Sequence, residues 1–428
     1  MLPPDCCILS FYIKNDALSA DNIKNCAVIW QQFSAIRTDQ LFKIFTLISA
    51  NQSIYLCTMP LLICNIILCS FWTAYLLVWL ILRLRSTVHD NVECLDNQPT
   101  VSILIPIHNE GQHLSQLFKS LDRLLYPQAL TQILLADDAS TDGSDIQIQN
   151  FCNLRPNADY ILSKNINGKA VTLSYLTEQA TGEILFFTDG DCVVPANWIT
   201  DHVDYYGHSK IGLVGGLVVA QGGHSLFSKL QAVDWLRFSA AGSIWARLGA
   251  PLSIFGNHFS IRRETLTAAG GFAAAARSVT EDYMLMSQVL NKTDWTVGFL
   301  PLQPGHVVFT APEDNGSAFF KQRKRWAVGA RGRSACSTFL TGLNLLPIPL
   351  FLLLSFCGHP LTALFSLLAY LILEKTLTQY WQERLQIDGI ITAAWLHPLF
   401  FFLYGAALIP SYLFLRKIQW KGRTQTVR

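Results

Sequence analysis

Apolar and polar positions divide this chain into distinct textures. Residues 54–82 carry no charged side chain. That run exceeds the roughly 20 apolar residues that cross a bilayer. From 99 to 312 the pattern becomes one of short apolar runs alternating with amphipathic stretches. Val101–Ile107, 133–136, 160–162 and Ile184–Phe187 read as buried strands. Leu114, Leu117, Leu121 and Leu124 recur at helical spacing, as do Leu173, Leu176 and Ala180. Strands alternating with helices at this pace predict an α/β domain around a mostly parallel sheet covered on both faces. Further on, 337–373 has no charge apart from a possible one on His359 and is interrupted by Gly358-His359-Pro360. Two short spans are predicted there, with the interruption as a turn. A further span is predicted over 390–415.

The expected layout is an N-terminal arm (1–53), a transmembrane helix (54–82), a soluble α/β domain (99–312), an amphipathic interfacial helix (313–335), a C-terminal membrane bundle (337–415) and a basic tail (416–428). The arm shows no strong period. It is either poorly ordered or lies upstream of the true start, because Met59 makes an equally good first residue.

Composition supports a membrane protein. Charged residues make up 14%, well below the roughly 25% of a soluble domain. The formal net charge of +2 gives no reason to expect a nucleic-acid partner. Arg83 and Arg85 follow the first span, which places the α/β domain in the cytoplasm by the positive-inside rule. One span plus three more would leave the basic tail outside, where its five basic residues are disfavoured, so the span count stays open. Eleven cysteines include no CxxC pair and no Cys/His metal pattern. They predict a reducing surrounding without a disulfide framework.

Polar clusters follow two of the strands directly, and ligands of such sheets bind at the carboxyl ends of strands. Asp189-Gly190-Asp191 follows the fourth strand. Two carboxylates one residue apart suit a divalent metal that takes its other ligands from substrate phosphates, although Asp and Gly are also ordinary turn residues. Asp137-Asp138, in the run through Ser144, suits either a turn with a helix cap or a pocket for a base and ribose. Lys169, after Asn167-Gly168, is an ordinary surface lysine or a phosphate contact. Thr280-Glu281-Asp282 opens a helix that runs through Leu290. Thr there suits a cap, and Asp282 suits a general base for an acceptor hydroxyl. Gln322, Arg325 and Trp326 share one helical face by spacing. Arg325 suits a diphosphate leaving group and Trp326 a sugar face. Arg323 and Lys324 are expected to face lipid headgroups.

In order, V-S-I-L-I-P-I-H-N-E, D-D-A-S-T-D-G-S, T-D-G-D, G-N-H-F-S-I-R-R, T-E-D and Q-R-K-R-W resemble the membrane-bound members of glycosyltransferase family 2. That group contains cellulose, hyaluronan and poly-N-acetylglucosamine synthases. The resemblance implies a GT-A fold with a mixed, mostly parallel sheet flanked by transmembrane helices. It implies inverting transfer from a nucleotide-diphosphate sugar, by default a UDP-sugar, with Mg²⁺ or Mn²⁺. By the match, Asp137 and Asp138 hold the nucleoside, and Asp189 and Asp191 serve donor and metal. Asp282 is the base, Gly256-Asn257 lines the acceptor side, and Gln322, Arg325 and Trp326 form the Q-x-x-R-W helix. The short soluble domain and small C-terminal bundle depart from the large synthases. They favour transfer of one or a few sugars to a lipid or growing glycan. Alternative readings are a polyprenyl-phosphate sugar synthase, a non-catalytic membrane partner of the same fold, and a nucleotidyltransferase.

Overall fold

The computed structural model describes residues 98–162, 168–208, 210–221, 223–272, 280–329, 344–356 and 358–415, the backbone of 417–420 and 423–426, residue 342, and a few positions between 66 and 81. The arm at 1–53, most of the run at 54–82, and Asn167, Arg331 and Arg333 lie outside them.

The element order begins β1 (Val101–Ile107), α1 (Leu114–Leu121), β2 (Thr131–Asp137), α2 (Ser144–Asn153), β3 (Ala158–Leu162), α3 (Lys169–Gln179) and β4 (Ile184–Phe187). It continues with β5 (Cys192–Val193), α4 (Trp198–Tyr205), β6 (Ile211–Gly215), β7 (Leu217–Ala220), α5 (Leu226–Arg247), β8 (Phe259–Arg262), α6 (Arg263–Ala269), α7 (Glu281–Lys292), β9 (Thr296–Phe299) and β10 (Val307–Thr310). After these come α8 (Gly316–Gly329), α9 (Pro347–Phe356), α10 (Pro360–Leu385), α11 (Ile391–Ala394), α12 (His397–Phe414) and a terminal hairpin of β11 (Lys417–Trp420) and β12 (Arg423–Thr426).

Seven strands form the main sheet in the order β3-β2-β1-β4-β8-β6-β9. The pairs β3–β2, β2–β1, β1–β4 and β6–β9 are parallel, while β8 runs against both of its neighbours. The α/β fold and mixed, mostly parallel sheet are therefore as expected. A second sheet, β5-β10-β7, lies beside it in the chain's order.

Strand residues alternate between the two faces, as period-2 geometry requires. Ile103, Ile105, Ile184 and Phe186 join Leu114 and Leu117 of α1, Ile148 of α2 and Trp198 of α4 on one side. Leu104, Leu185 and Phe187 join Leu173 and Leu176 of α3 and Leu285 and Val289 of α7 on the other. A strand buried on both faces must read as an unbroken apolar run, which is why β1 and β4 are visible in the sequence.

The run after β1 goes to β2 on one side, and the chain later returns through β4 on the other. The switch point thus falls between β1 and β4, where the exit loops of neighbouring strands diverge and leave a crevice. The loops approach closely: a Cβ on Gly190 would stand 2.9 Å from Cγ of Glu110.

The C-terminal helices differ in detail from the expected spans. Gly358, in the left-handed region at φ 84°, turns the chain between α9 and α10, as the interruption predicts. However, α10 runs on past Glu374 and Lys375 to Leu385. The predicted span at 390–415 is split into α11 and α12. Among the described residues, α10 and α12 are long and apolar enough to cross a membrane, while α9 is apolar but shorter. The backbone of the basic tail forms a hairpin of β11 and β12.

Candidate active site

The crevice at the carboxyl edge is assembled from four loops and two helix starts. The exit of β2 is tied to the exit of β1. Asp138 N–H donates to the Ile107 carbonyl (2.8 Å), and His108 Nδ1–H donates to the Asp138 carbonyl (2.6 Å). Asn109 and Ala139 hold φ of 56° and 58°. For a non-glycine residue this conformation costs roughly 1–2 kcal/mol. The loops offset that by side-chain bonds: Asn109 N–H donates to Ser140 Oγ (2.9 Å) and Thr141 N–H to Asn109 Oδ1 (2.8 Å).

Asp137 and Asp138 are both buried. The Asp137 carboxylate accepts the Ser140 N–H at 3.3 and 3.2 Å, while Oδ2 of Asp138 accepts the Gly168 N–H at 3.2 Å. The expected side-chain cap does not form, since Gly143 holds the cap position; Asp142 just before it accepts from Ser144 N–H (3.1 Å) and Ser144 Oγ (2.6 Å) through Oδ1.

Lys169, at the first turn of α3, is not an ordinary surface lysine. Its Nζ lies 2.7 Å from Asp189 Oδ1 and 3.5 Å from Glu281 Oε1. Burial opposes the ammonium, but the carboxylates of Asp189 and Glu281 outweigh it and hold the Lys169 pKa above its usual range. The charge of Arg325 is close enough to act in the opposing direction. Four motifs far apart in sequence therefore meet at one lysine.

Asp191 turns the other way. Its Oδ2 accepts the Thr310 hydroxyl of β10 (2.9 Å), and the Cys192 thiol donates to its Oδ1 (3.4 Å). Burial, with Asp191 and Asp189 alongside, keeps the Cys192 thiol neutral by raising its pKa well above the usual range. Asn257 Nδ2 donates to the same sulfur at 3.4 Å, which links the G-N-H loop to the D-G-D loop.

Asp282 stands at the start of α7 against Gly256. Its Oδ2 accepts the Gly256 N–H (2.9 Å) and its Oδ1 accepts the Tyr283 N–H (2.8 Å). A side chain on Gly256 would place Cβ 3.2 Å from that Oδ2, closer than an ordinary contact. The loop itself is anchored from below. His258 Nδ1–H donates to the Leu217 carbonyl (2.7 Å), leaving Nε2 to accept from His202 Nε2–H (3.1 Å). Ser260 then donates to His202 Nδ1 and receives the Tyr206 hydroxyl, both at 2.8 Å. Burial holds His258 at about 3 and His202 well below its usual value, so both rings are neutral and this proton arrangement is fixed.

Thr280 does not cap α7 as its position suggests. No side-chain cap bond forms, and its hydroxyl donates to the Gly329 carbonyl at the end of α8 (3.3 Å). The Q-x-x-R-W residues divide between two tasks. Arg325 lies near Lys169, whereas Gln322 Nε2 donates to Glu313 Oε1 (2.7 Å) and Trp326 sits edge-on to Trp235 at 4.8 Å. Arg323 corrects the expectation that it faces lipid. It is buried at 2% exposure, paired with Asp234 (2.7 Å) and stacked over Trp326 (4.0 Å). Lys324 is exposed.

Among the described residues, no group of three or more His, Cys, Asp or Glu is arranged to hold a metal ion. The two carboxylates expected to serve a metal are held by different partners, Asp189 by Lys169 and Asp191 by Thr310. Thr310 escaped the sequence reading, and Glu281 and Arg323 were given no role in the site there. Glu281 was visible as an acid at a helix start, but the other two carry no local signal.

The mixed, mostly parallel sheet is a GT-A-like fold, and the family match places the chain in the glycosyltransferase class. The mannosyltransferase PcManGT from Pyrobaculum calidifontis, solved with GDP-Man and Mn2+, matches with a TM-score of 0.51 at 17% identity. The match covers 81% of this chain and 96% of that one. The chain belongs to Glycosyl transferase family 21, whose model matches residues 62–428. The motif resemblance pointed instead to family 2; the two agree on a glycosyltransferase with this fold. Glycosyltransferase AglE of Haloferax volcanii is 28% identical over 120 residues, 28% of this chain and 40% of that protein. The beta-monoglucosyldiacylglycerol synthase of Nostoc sp. is 26% identical over 254 residues, 57% of this chain and 52% of that protein. The matches thus span about half or less of these curated relatives' length.

Proposed function

We propose that this protein transfers a sugar, with inversion, from a nucleotide-diphosphate sugar to a hydroxyl of a membrane-associated lipid or growing glycan. The observation that carries the reading is the meeting of Lys169, Asp189 and Glu281, with Arg325 nearby, beside an Asp282 fixed on the Gly256 loop. A UDP-sugar is the default donor. The name of the Nostoc relative makes a diacylglycerol hydroxyl a reasonable first acceptor to try.

In this reading, buried Asp137 and Asp138 face the nucleoside. Asp189 and Asp191 would hold Mg²⁺ or Mn²⁺, which supplies positive charge to the diphosphate when bound. Arg325 adds a charge that cannot be titrated away, and such fixed electrostatics are commonly the largest contribution to catalysis. Asp282 takes the proton of the acceptor hydroxyl as the oxygen attacks the anomeric carbon, and the bond from that carbon to the phosphate oxygen breaks to release the nucleotide diphosphate. Backbone N–H groups on both its oxygens hold the carboxylate in place. Gly256 and Asn257 shape the acceptor side, and Gln322 and Trp326 seat the helix that carries Arg325. The apolar helices α10 and α12 hold the domain at a bilayer, with the crevice on the cytoplasmic side.

The test is a donor screen on membranes with Mg²⁺ or Mn²⁺, reading nucleotide-diphosphate release and lipid-extractable product. Asp282→Asn is expected to bind donor normally and to lose transfer by about 10²–10⁴-fold. Normal turnover by that variant would remove Asp282 as the base. Lipid phosphate as the sole acceptor would replace the hydroxyl reading with a polyprenyl-phosphate sugar synthase.

A further inference from the structure

A buried polar cluster lies behind the crevice, on the far side of α8. Asp234 of α5 is 1% exposed. Its Oδ2 accepts Nε (3.1 Å) and Nη2 (2.7 Å) of Arg323 from α8. Its Oδ1 accepts the Tyr404 hydroxyl (2.7 Å) and His397 Nε2–H (3.2 Å) from the apolar helix α12. Four donors fill the roughly four lone-pair sites of a carboxylate. Arg323 Nη1 also donates to Gln322 Oε1 (2.5 Å).

The helices meet along matched stripes. Gln231, Asp234, Trp235 and Phe238 lie at i, i+3, i+4 and i+7 of α5. Phe319, Gln322, Arg323 and Trp326 lie at the same spacing on α8. Gln231 Nε2 donates to the Glu313 carbonyl (2.9 Å), and Trp326 packs against Trp235 and Phe238. Arg325 follows Arg323 by two residues, which is about 200° around an α-helix. A helix pinned through Arg323 therefore presents Arg325 on its opposite side, toward Lys169.

A pure core position has no need of this arrangement. His397 Nδ1 is buried with no partner among the described residues, at a cost of about 1–3 kcal/mol. Apolar replacement of a buried ion cluster is frequently neutral or stabilising. One helix turn along, Arg237 of α5 pairs with Glu374 of α10, so α5 grips two apolar helices through charged side chains.

We infer that Asp234 is a positioning residue that sets the aim of Arg325, and that Tyr404 and His397 couple this aim to the seat of α12. The inference rests on the proposed transfer reaction. Its content is that α12 is part of the catalytic apparatus as well as an anchor.

The experiment uses the full chain in lipid nanodiscs. It measures nucleotide-diphosphate binding, and kcat and KM for donor, in wild type, Asp234→Asn and Tyr404→Phe. Asp234→Asn is expected to lose about 10–100-fold in kcat with nucleotide affinity and donor KM close to wild type. Tyr404→Phe, which keeps the Arg323 pair, is expected to lose about 3–10-fold in kcat with the same split. A purely structural role would instead lower the fraction of chains that bind nucleotide and leave kcat per binding site unchanged. If Asp234→Asn does not fold, Tyr404→Phe decides. Wild-type kcat per binding site in Tyr404→Phe overturns the coupling, and wild-type kcat in Asp234→Asn overturns the positioning role. A wild type that releases no nucleotide from any donor would overturn the parent reading, whereas an active wild type with unchanged kcat in both variants would overturn this inference alone.

Discussion

At the scale of single residues, the charge of a side chain in this protein is set by what surrounds it. Lys169 is held protonated by two carboxylates, and His202 and His258 are held neutral by burial. Asp201 of α4 is a third case. Burial, with Asp204 adding to it, raises its pKa to about 7. Its Oδ2 lies 3.3 Å from His306 Nε2, and His306 Nδ1–H donates to the Pro301 carbonyl (3.1 Å). A protonated Asp201 thus donates to a neutral imidazole. A group whose pKa rises on folding contributes stability that is complete below its unfolded value, about 4 for Asp, and lost as pH climbs through the folded value. Asp201→Asn keeps a donor toward His306 and cannot ionise. It is expected to leave stability near about pH 4 unchanged and to add about 1–3 kcal/mol near about pH 8. Thermal unfolding at the two pH values checks this; equal shifts at both would refute it. Gly256 offers a second single-residue test. An alanine methyl there pushes the Asp282 carboxylate by a few tenths of an ångström, so Gly256→Ala should lower kcat about 3–10-fold while donor affinity holds. Unchanged kcat would mean that the acceptor loop yields instead.

At the scale of elements, the legible parts are those whose environment is the same on both faces. β1 and β4 are buried all round and so read as plain apolar runs, with bounds that match. α2 was marked only by a possible cap and not by its period, because only Ser144, Ile148 and Phe151 are buried in a largely polar stretch. β8 gave no sign of its reversed direction, since strand polarity in a sheet is fixed by partners and not by local composition. The site shows the same division. Asp137, Asp138, Asp189, Asp191 and Asp282 stand at element ends, where polar residues after apolar ones mark a boundary. Arg323 sits among basic neighbours that look alike in sequence, and only its partner Asp234, 89 positions away, sets it apart. Burial penalises the Asp234 carboxylate, but Arg323 and then His397 outweigh this and hold its pKa below the usual range. The contact between α5 and α8 is therefore complete above about pH 4 and fails as pH falls below it.

At the scale of the whole molecule, α10 carries an exposed stripe of Leu361, Leu364, Phe365, Leu368 and Ile372, while Leu377, Trp381 and Leu385 pack into the domain. One helix thus serves two surroundings along its length. A lipid-soluble photoreactive probe in intact membranes should label the stripe and spare the packed end. Equal labelling of both, or of neither, would count against a bilayer around α10. The reversal of β8 has a consequence for how such a protein can change over generations. Because β8 runs backwards, its first residue, Phe259, pairs with the last residue of β4, and the loop before it reaches the same edge as the strand ends. The segments assigned here to the donor fall before residue 193 and those assigned to the acceptor fall after residue 255, apart from the Arg325 helix. A genetic crossover in the stretch between them would exchange one set and keep the other. In the proposed reading, new acceptors can then be acquired by recombination that leaves the loops of the nucleotide pocket in place, provided the incoming half keeps the Arg325 helix.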